Sequence, residues 1–169
     1  MSAEEREKFI QGLKFKKEMS GAAKEEKINL SWEKISQSEN SAAVFMHDMI
    51  EKKGLERAEH DAQQLVESKS DEYYFKESEF NTLGYLYLYG KKLDEALAIF
   101  KLNVKMNPES WNVYDSLGEA CLAAGKTDKA RALYEKSLAL NPDNENGKKM
   151  LSKIDEKSKQ FLAKGVSGD

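Results

Sequence analysis

Apolar side chains recur at three- and four-residue spacing through the second half of the chain, with charged side chains between them. In residues 127–140 the apolar face is formed by Ala130, Leu133, Tyr134 and Leu138. Such a period is typical of amphipathic α-helices. The pattern predicts one helix over about residues 110–124 and a second that begins near residue 127.

The boundaries of these helices are marked by residues with special backbone preferences. Gly125 readily adopts the left-handed conformation that ends a helix, and Pro142 cannot continue one. Thr127 is placed to cap the second helix, and Asp143 is placed to cap a further one. That last helix carries Met150, Leu151, Ile154 and Phe161 on one side.

The helix pair is repeated along the chain. Residues 80–108 align with residues 114–142 without a gap, and every matched pair is 34 residues apart. A fixed period of this size indicates stacked helix hairpins. Small residues match small ones and rings match rings, which suits helices that cross closely. The matched pairs are Leu83 with Leu117, Gly84 with Gly118, Ala96 with Ala130, Phe100 with Tyr134 and Pro108 with Pro142.

Upstream, the pattern is weaker. Residues 41–68 predict a degenerate hairpin broken at Gly54, and the residues before it hold an apolar cluster of Ile28, Leu30, Trp32 and Ile35. That cluster either docks on the hairpins or belongs to a partly mobile segment. The predicted organisation is an N-terminal segment (1–40), a degenerate hairpin (41–76), two repeat units within 77–142 (77–110 and 111–144), a capping helix (143–163) and a frayed tail (164–169).

These positions resemble the tetratricopeptide repeat, a family of 34-residue helix hairpins. The resemblance rests on an aromatic residue, Leu-Gly, Ala, an aromatic residue and Pro in order. It departs from the family at Asn103 and Ser137, where the family prefers Ala, and at Cys121, where it prefers a ring. The fold that it implies is all-α, a superhelix of stacked antiparallel hairpins ended by a capping helix.

Composition narrows the functional classes. The chain has 27 basic and 30 acidic residues and a net charge of −3, which disfavours nucleic-acid binding. No apolar run is long enough to span a bilayer. The opening residues lack the order of a signal peptide, so a cytoplasmic location is expected, with a periplasmic one as the alternative if a signal peptide was removed.

Candidate catalytic chemistry is sparse. The chain has two histidines, His47 and His60, and both fall in predicted helices among charged residues. The sequence holds no nucleophile elbow, phosphate-binding glycine loop or cluster of metal ligands. Cys121 is expected to fill an apolar helix face. We therefore expect no enzymatic activity, no cofactor and no metal.

In tetratricopeptide proteins the first helices of successive units line a concave surface, and the resemblance implies which residues bind there. We call these eight residues the predicted binding face: Asn81, Tyr85, Leu88, Tyr89, Asn112, Asp115, Glu119 and Lys149. Tyr85 and Tyr89 are expected to form a hot spot, and Asp115 and Glu119 to favour a basic peptide. The alternative is that both tyrosines pack inside the protein.

The resemblance also argues against the C-terminal peptides of chaperones as ligands. Chaperone-binding members grip a C-terminal carboxylate with Lys, Asn and Arg, whereas the corresponding positions here are Asn81, Tyr85, Ser116, Asn146 and Met150. The expected function is a non-catalytic module that binds a protein or peptide. A self-associating structural element is an alternative.

A second resemblance concerns residues 52–120, which are similar to the helical C-terminal extension of some bacterial serine hydrolases of the β-lactamase and esterase types. It implies a bacterial protein and a role as an accessory domain. The catalytic domain of those hydrolases is not among these 169 residues, so the resemblance carries no activity to this chain.

Overall fold

The computed structural model describes residues 21–68 and 72–165, with side chains as far as Gln160. The first 20 residues of the predicted N-terminal segment and the last four of the predicted tail lie outside this range. The described residues form eight helices and no strand. Their bounds are α1 Gly21–Ile35, α2 Ala42–Lys53, α3 Leu55–Ser68, α4 Glu77–Tyr89, α5 Leu93–Met106, α6 Trp111–Ala123, α7 Thr127–Leu140 and α8 Glu145–Gly165.

Helices α4 to α8 form a continuous stack. Helix α4 packs against α5 and α6 against α7, while α5 also packs on α6 and α7 on α8. Helices α4 and α6 touch each other directly, so the first helices of the two units lie side by side. The predicted all-α, tetratricopeptide-like stack of helix hairpins is therefore confirmed.

Each hairpin closes by placing a ring against a glycine. A Cβ atom on Gly84 would lie 2.5 Å from Phe100 Cε1, and one on Gly118 would lie 3.1 Å from Tyr134 Cζ. Ala96 and Ala130 are completely buried, and so are both rings. The small residues at these crossings let the helices approach closely enough for the rings to fill the space between them.

The turns within the two hairpins have the same geometry. Gly125 ends its turn with a φ of 72°, and Lys91, 34 residues earlier, has a φ of 61°. In each turn the next amide donates back to the helix: Lys92 N to Tyr87 O at 2.9 Å, and Lys126 N to Cys121 O at 2.8 Å. This is the bond that closes a helix with a left-handed residue.

Two predicted caps are replaced by neighbouring residues. Helix α7 begins at Thr127 itself, Lys126 takes the cap position, and no side-chain cap bond forms there. At α8 the cap is Asn144 rather than Asp143, since Asn144 Oδ1 accepts from Gly147 N at 3.1 Å. Asn144 is also buried, which keeps its amide in place.

The two polar residues that depart from the family pattern, Asn103 and Ser137, each donate a hydrogen bond to another helix. Asn103 Nδ2 donates to the Glu77 carbonyl at 3.1 Å, and Ser137 Oγ donates to the Trp111 carbonyl at 2.9 Å. Glu77 and Trp111 are the first residues of α4 and α6. In both units the second helix is thereby bonded to the start of the first.

The N-terminal helices close the other end of the stack. Helix α2 packs on α3, and α1 packs along α4 more extensively than α2 or α3 does. Trp32 is the buried residue of α1, with Ile28 and Ile35 half-buried beside it. Of the two expectations for this region, the apolar cluster docks on the stack, although Leu30 is 53% exposed.

Candidate functional site

The predicted binding face lies on three helices. Asn81, Tyr85, Leu88 and Tyr89 are on α4, Asn112, Asp115 and Glu119 are on α6, and Lys149 is on α8. Their exposure divides them into two groups. Tyr85, Leu88 and Asp115 are buried, whereas the other five are half-buried or exposed.

Tyr85 is a structural residue of this face. Only 5% of it is exposed, and its ring meets Phe100 edge-on, with the centroids 5.2 Å apart. Its hydroxyl donates to Glu119 Oε2 at 2.9 Å. Burial, reinforced by the Glu119 charge, raises the pKa of Tyr85 well above its ordinary value. The tyrosine thus stays neutral and ties α4 to α6.

Tyr89 offers the accessible aromatic surface next to it. Its ring stacks on Tyr85 with the centroids 5.6 Å apart, but the residue is only half-buried. Burial and then the Glu119 charge raise the pKa of Tyr89 to about 12, so the phenol stays neutral at physiological pH. A rigid amphipathic ring that is held from one side suits protein contact.

Asp115 is occupied by two asparagines. Asn144 Nδ2 donates to Oδ1 at 2.7 Å, and Asn146 Nδ2 donates to Oδ2 at 2.9 Å. The Asp115 residue is 7% exposed. Both amides belong to the start of the helix that follows, so Asp115 fastens α8 to α6. The expectation that Asp115 attracts a basic peptide is weakened, because both of its oxygens already accept hydrogen bonds.

The remaining residues keep polar groups near the surface. Asn112 Nδ2 donates to Glu77 Oε1 at 3.1 Å, which links α6 to α4. Asn81 is half-buried, and its Oδ1 atom is shielded from solvent without a hydrogen-bond partner in the described residues. The accessible part of the predicted binding face is therefore Asn81, Tyr89, Asn112, Glu119 and Lys149.

The histidines and the cysteine do not meet in a reactive arrangement. His47 Nδ1 lies 2.9 Å from the Tyr87 hydroxyl, and His60 is exposed on α3. Cys121 is buried, and burial raises the pKa of its thiol, which keeps it protonated. The described residues contain no group of three or more His, Cys, Asp or Glu side chains that could hold a metal ion.

The surface of the described residues has depressions that are open to solvent. One of about 300 Å³ lies beside His47, Glu51, Leu86, Tyr87 and Lys92. Its polar groups bond each other, since Tyr87 donates to Glu51 at 3.1 Å and Lys92 also contacts Glu51 at 3.1 Å. None of the helices in the described part of the chain has the length and apolar content needed to cross a bilayer.

Residues 111–144 match the family model of the tetratricopeptide repeat. The matched residues comprise α6 and α7 with their flanking turns. Repeats of this family are typical of protein-interaction modules and are generally non-catalytic. No curated protein matches the chain, and the resemblance to hydrolase extensions is not confirmed.

Proposed function

We propose that this chain is a non-catalytic module that binds a protein or peptide on the face shared by α4, α6 and the start of α8. The observation that carries the proposal is the tetratricopeptide match over α6 and α7, next to a second hairpin in the same 34-residue register. In that family the first helices of successive units present the ligand-binding side chains.

The chemistry of the accessible residues supports this choice. Tyr89 supplies a half-buried ring that is held by Tyr85, and Asn81 and Asn112 are half-buried residues of the same predicted face. The amide nitrogen of Asn81 and the amide oxygen of Asn112 can bond the backbone of an extended peptide. An accessible aromatic ring with polar groups around it is the usual composition of a binding hot spot.

A photocrosslinking experiment tests the location of the face. A benzoylphenylalanine placed at Tyr89 should crosslink the partner that affinity capture retrieves from native lysate. The matched control is the same residue at Lys101, which is exposed on the second helix of the hairpin. Crosslinks at position 101 with none at position 89 would reject the proposed face.

Substitution of the same ring measures its contribution. Tyr89→Ala should weaken binding by about tenfold, as expected for loss of an interface aromatic worth more than about 1 kcal/mol. Lys101→Ala should leave the affinity unchanged, and circular dichroism should show equal helix content in both variants. Equal affinities for the two variants would contradict the proposal.

A second candidate is self-association at the α1–α2 end. It is favoured by the exposure of Leu30 (53%) and Tyr74 (42%), the exposed large apolar residues of the described chain. Light scattering at high concentration decides it, since a monomer would remove this candidate. An accessory role to a hydrolase is a special case of the first proposal, with the enzyme as partner.

A further inference from the structure

The 34-residue register continues into α8 and brings three lysines onto the binding face. Lys149 corresponds to Asp115 and Asn81, Lys153 to Glu119 and Tyr85, and Lys157 to Ala123 and Tyr89. All three lysines are exposed. We call Lys149, Lys153 and Lys157 the α8 lysine row.

The contacts of α8 place this row on the same side as the α6 face. Asn146, seven residues before Lys153 and eleven before Lys157, donates to Asp115 on α6. Residues at these spacings share one side of a helix. Other sides of α8 are occupied, since Ile154 is buried and Asp155 bonds Arg131 of α7 at 2.5 Å.

The lysine row has no acidic partner among the described residues. The described ion pairs of α8 join Lys148 to Glu145 and Asp155 to Arg131, and none includes a member of the row. The two α6 carboxylates of the binding face already accept hydrogen bonds, Asp115 from two asparagines and Glu119 from Tyr85. Like charges four residues apart on a helix repel each other, so the spacing of the row does not itself stabilise α8.

We propose that the α8 lysine row binds an acidic segment of the partner protein, an inference that rests on the proposed binding face. Neighbouring lysines in the row are about 6 Å apart along the helix axis, because the rise is about 1.5 Å per residue. Acidic side chains at alternate positions of an extended peptide are about 6.6 Å apart. Such a peptide running along α8 can pair one carboxylate with each lysine.

Fluorescence anisotropy with a labelled peptide tests the inference. The probe is a 12-residue peptide of alternating Glu and Ser, and its counterpart has Lys in place of Glu. The full chain should bind the Glu peptide in preference to the Lys peptide, and the affinity should fall as salt rises. Preference for the Lys peptide would overturn the inference.

Two triple variants distinguish the effect of the lysine row on affinity from the effect of the overall charge. The first is Lys149→Gln, Lys153→Gln and Lys157→Gln. The second is Lys101→Gln, Lys129→Gln and Lys136→Gln, exposed lysines of the second helices α5 and α7. Both change the net charge equally. The first should lose about tenfold in affinity, as three exposed ion pairs predict, and the second about twofold or less.

The outcomes are distinct from those of the proposed function. Equal losses in the two triple variants, or no loss in the first, reject the lysine row, while crosslinking at Tyr89 would still support the binding face. Crosslinks at position 101 with none at position 89 reject the face, whatever the two triple variants show. Tighter binding of a 12-nucleotide oligouridine than of the Glu peptide would overturn the assignment to an acidic protein segment.

Discussion

Tyr85 and Tyr134 are both buried, yet their hydroxyl groups have different surroundings. The Tyr85 hydroxyl donates to Glu119, whereas the Tyr134 hydroxyl has no hydrogen-bond partner in the described residues. The residue 34 positions before Tyr134 is Phe100, which occupies the equivalent position of the first repeat unit without a hydroxyl. A buried hydroxyl stabilises a protein only when it is bonded, so the two tyrosines should respond oppositely to loss of that group.

Substitution by phenylalanine tests this difference. Tyr85→Phe should lower the free energy of unfolding by about 1 kcal/mol or more, because it breaks a bond to a carboxylate. Tyr134→Phe should leave it unchanged or raise it by up to about 1 kcal/mol, because it removes an unpaired polar group. Urea unfolding measures both, and a larger loss for Tyr134→Phe would contradict the assigned bonds.

The two packing glycines give a second contrast. A Cβ on Gly84 would lie within 2.8 Å of three ring atoms of Phe100, whereas the distances at Gly118 are 3.1 to 3.2 Å. Gly84→Ala should therefore cost about 1–3 kcal/mol through overpacking. At Gly118 the gain in helix propensity, about 1 kcal/mol, should offset most of the strain. Thermal unfolding that ranks Gly118→Ala as the more damaging change would contradict this geometry.

At the level of elements, the N-terminal helices meet α4 around His47. The imidazole of this α2 residue lies 4.9 Å from the Trp32 ring of α1, centroid to centroid, and its Nδ1 is 2.9 Å from the Tyr87 hydroxyl. Burial lowers the pKa of His47, and Lys92 acts in the same direction, although Glu51 and Asp48 raise it. The junction thus holds a neutral histidine.

The stability of this junction should depend on pH. As pH falls below the ordinary histidine value of 6.5, the unfolded chain takes up a proton at this position that the folded chain resists. Stability should therefore be complete above that pH, decline as pH falls through it, and level off below the lowered pKa. Thermal midpoints between about pH 5 and pH 8 measure the effect.

Two glutamine variants assign the pH effect to one histidine. His47→Gln keeps an amide that can bond Tyr87 and should flatten the pH profile between about pH 5 and pH 6.5. His60→Gln is the matched control, since His60 is exposed, and it should keep the profile of the unmodified chain. A profile that is unchanged in His47→Gln would show that another group titrates.

In the whole molecule, α8 covers the end of the helical stack and is also bonded to α6. Its Ile154 is buried, Met150 and Leu151 are half-buried, and its first turn holds Asp115 through Asn146. Without α8, the rest of the stack would expose the faces of α6 and α7 that this helix covers. End helices of repeat proteins are needed for this reason.

Removal of α8 should therefore destabilise the full stack. Among the side chains that the structure describes, a chain that ends at Asn144 loses one buried and two half-buried apolar ones, at about 1.5–3 kcal/mol for each fully buried one. Its urea midpoint should fall, and the uncovered α6–α7 face should promote self-association in light scattering. A monomer with an unchanged midpoint would show that α8 is not required as a cover.

The sequence by itself determined the repeat. The 34-residue register, the recurring small and aromatic positions and the approximate helix ends depend on local period and backbone preference, which neighbouring residues encode directly. The repeated small residues Ala96 and Ala130 predicted a close helix crossing, and both are completely buried. These features predicted the helical stack and the buried residues that hold it together.

Only the tertiary structure decided which polar groups of the binding face are free. Tyr85 bonds Glu119 and Asp115 bonds Asn146 across 34 and 31 residues of sequence, so neither partnership follows from a local pattern. The same holds for α1, which packs along α4 although its sequence shows no repeat register. Periodicity fixes which side of a helix faces inward, but the partner across the gap depends on how separate helices are brought together in space.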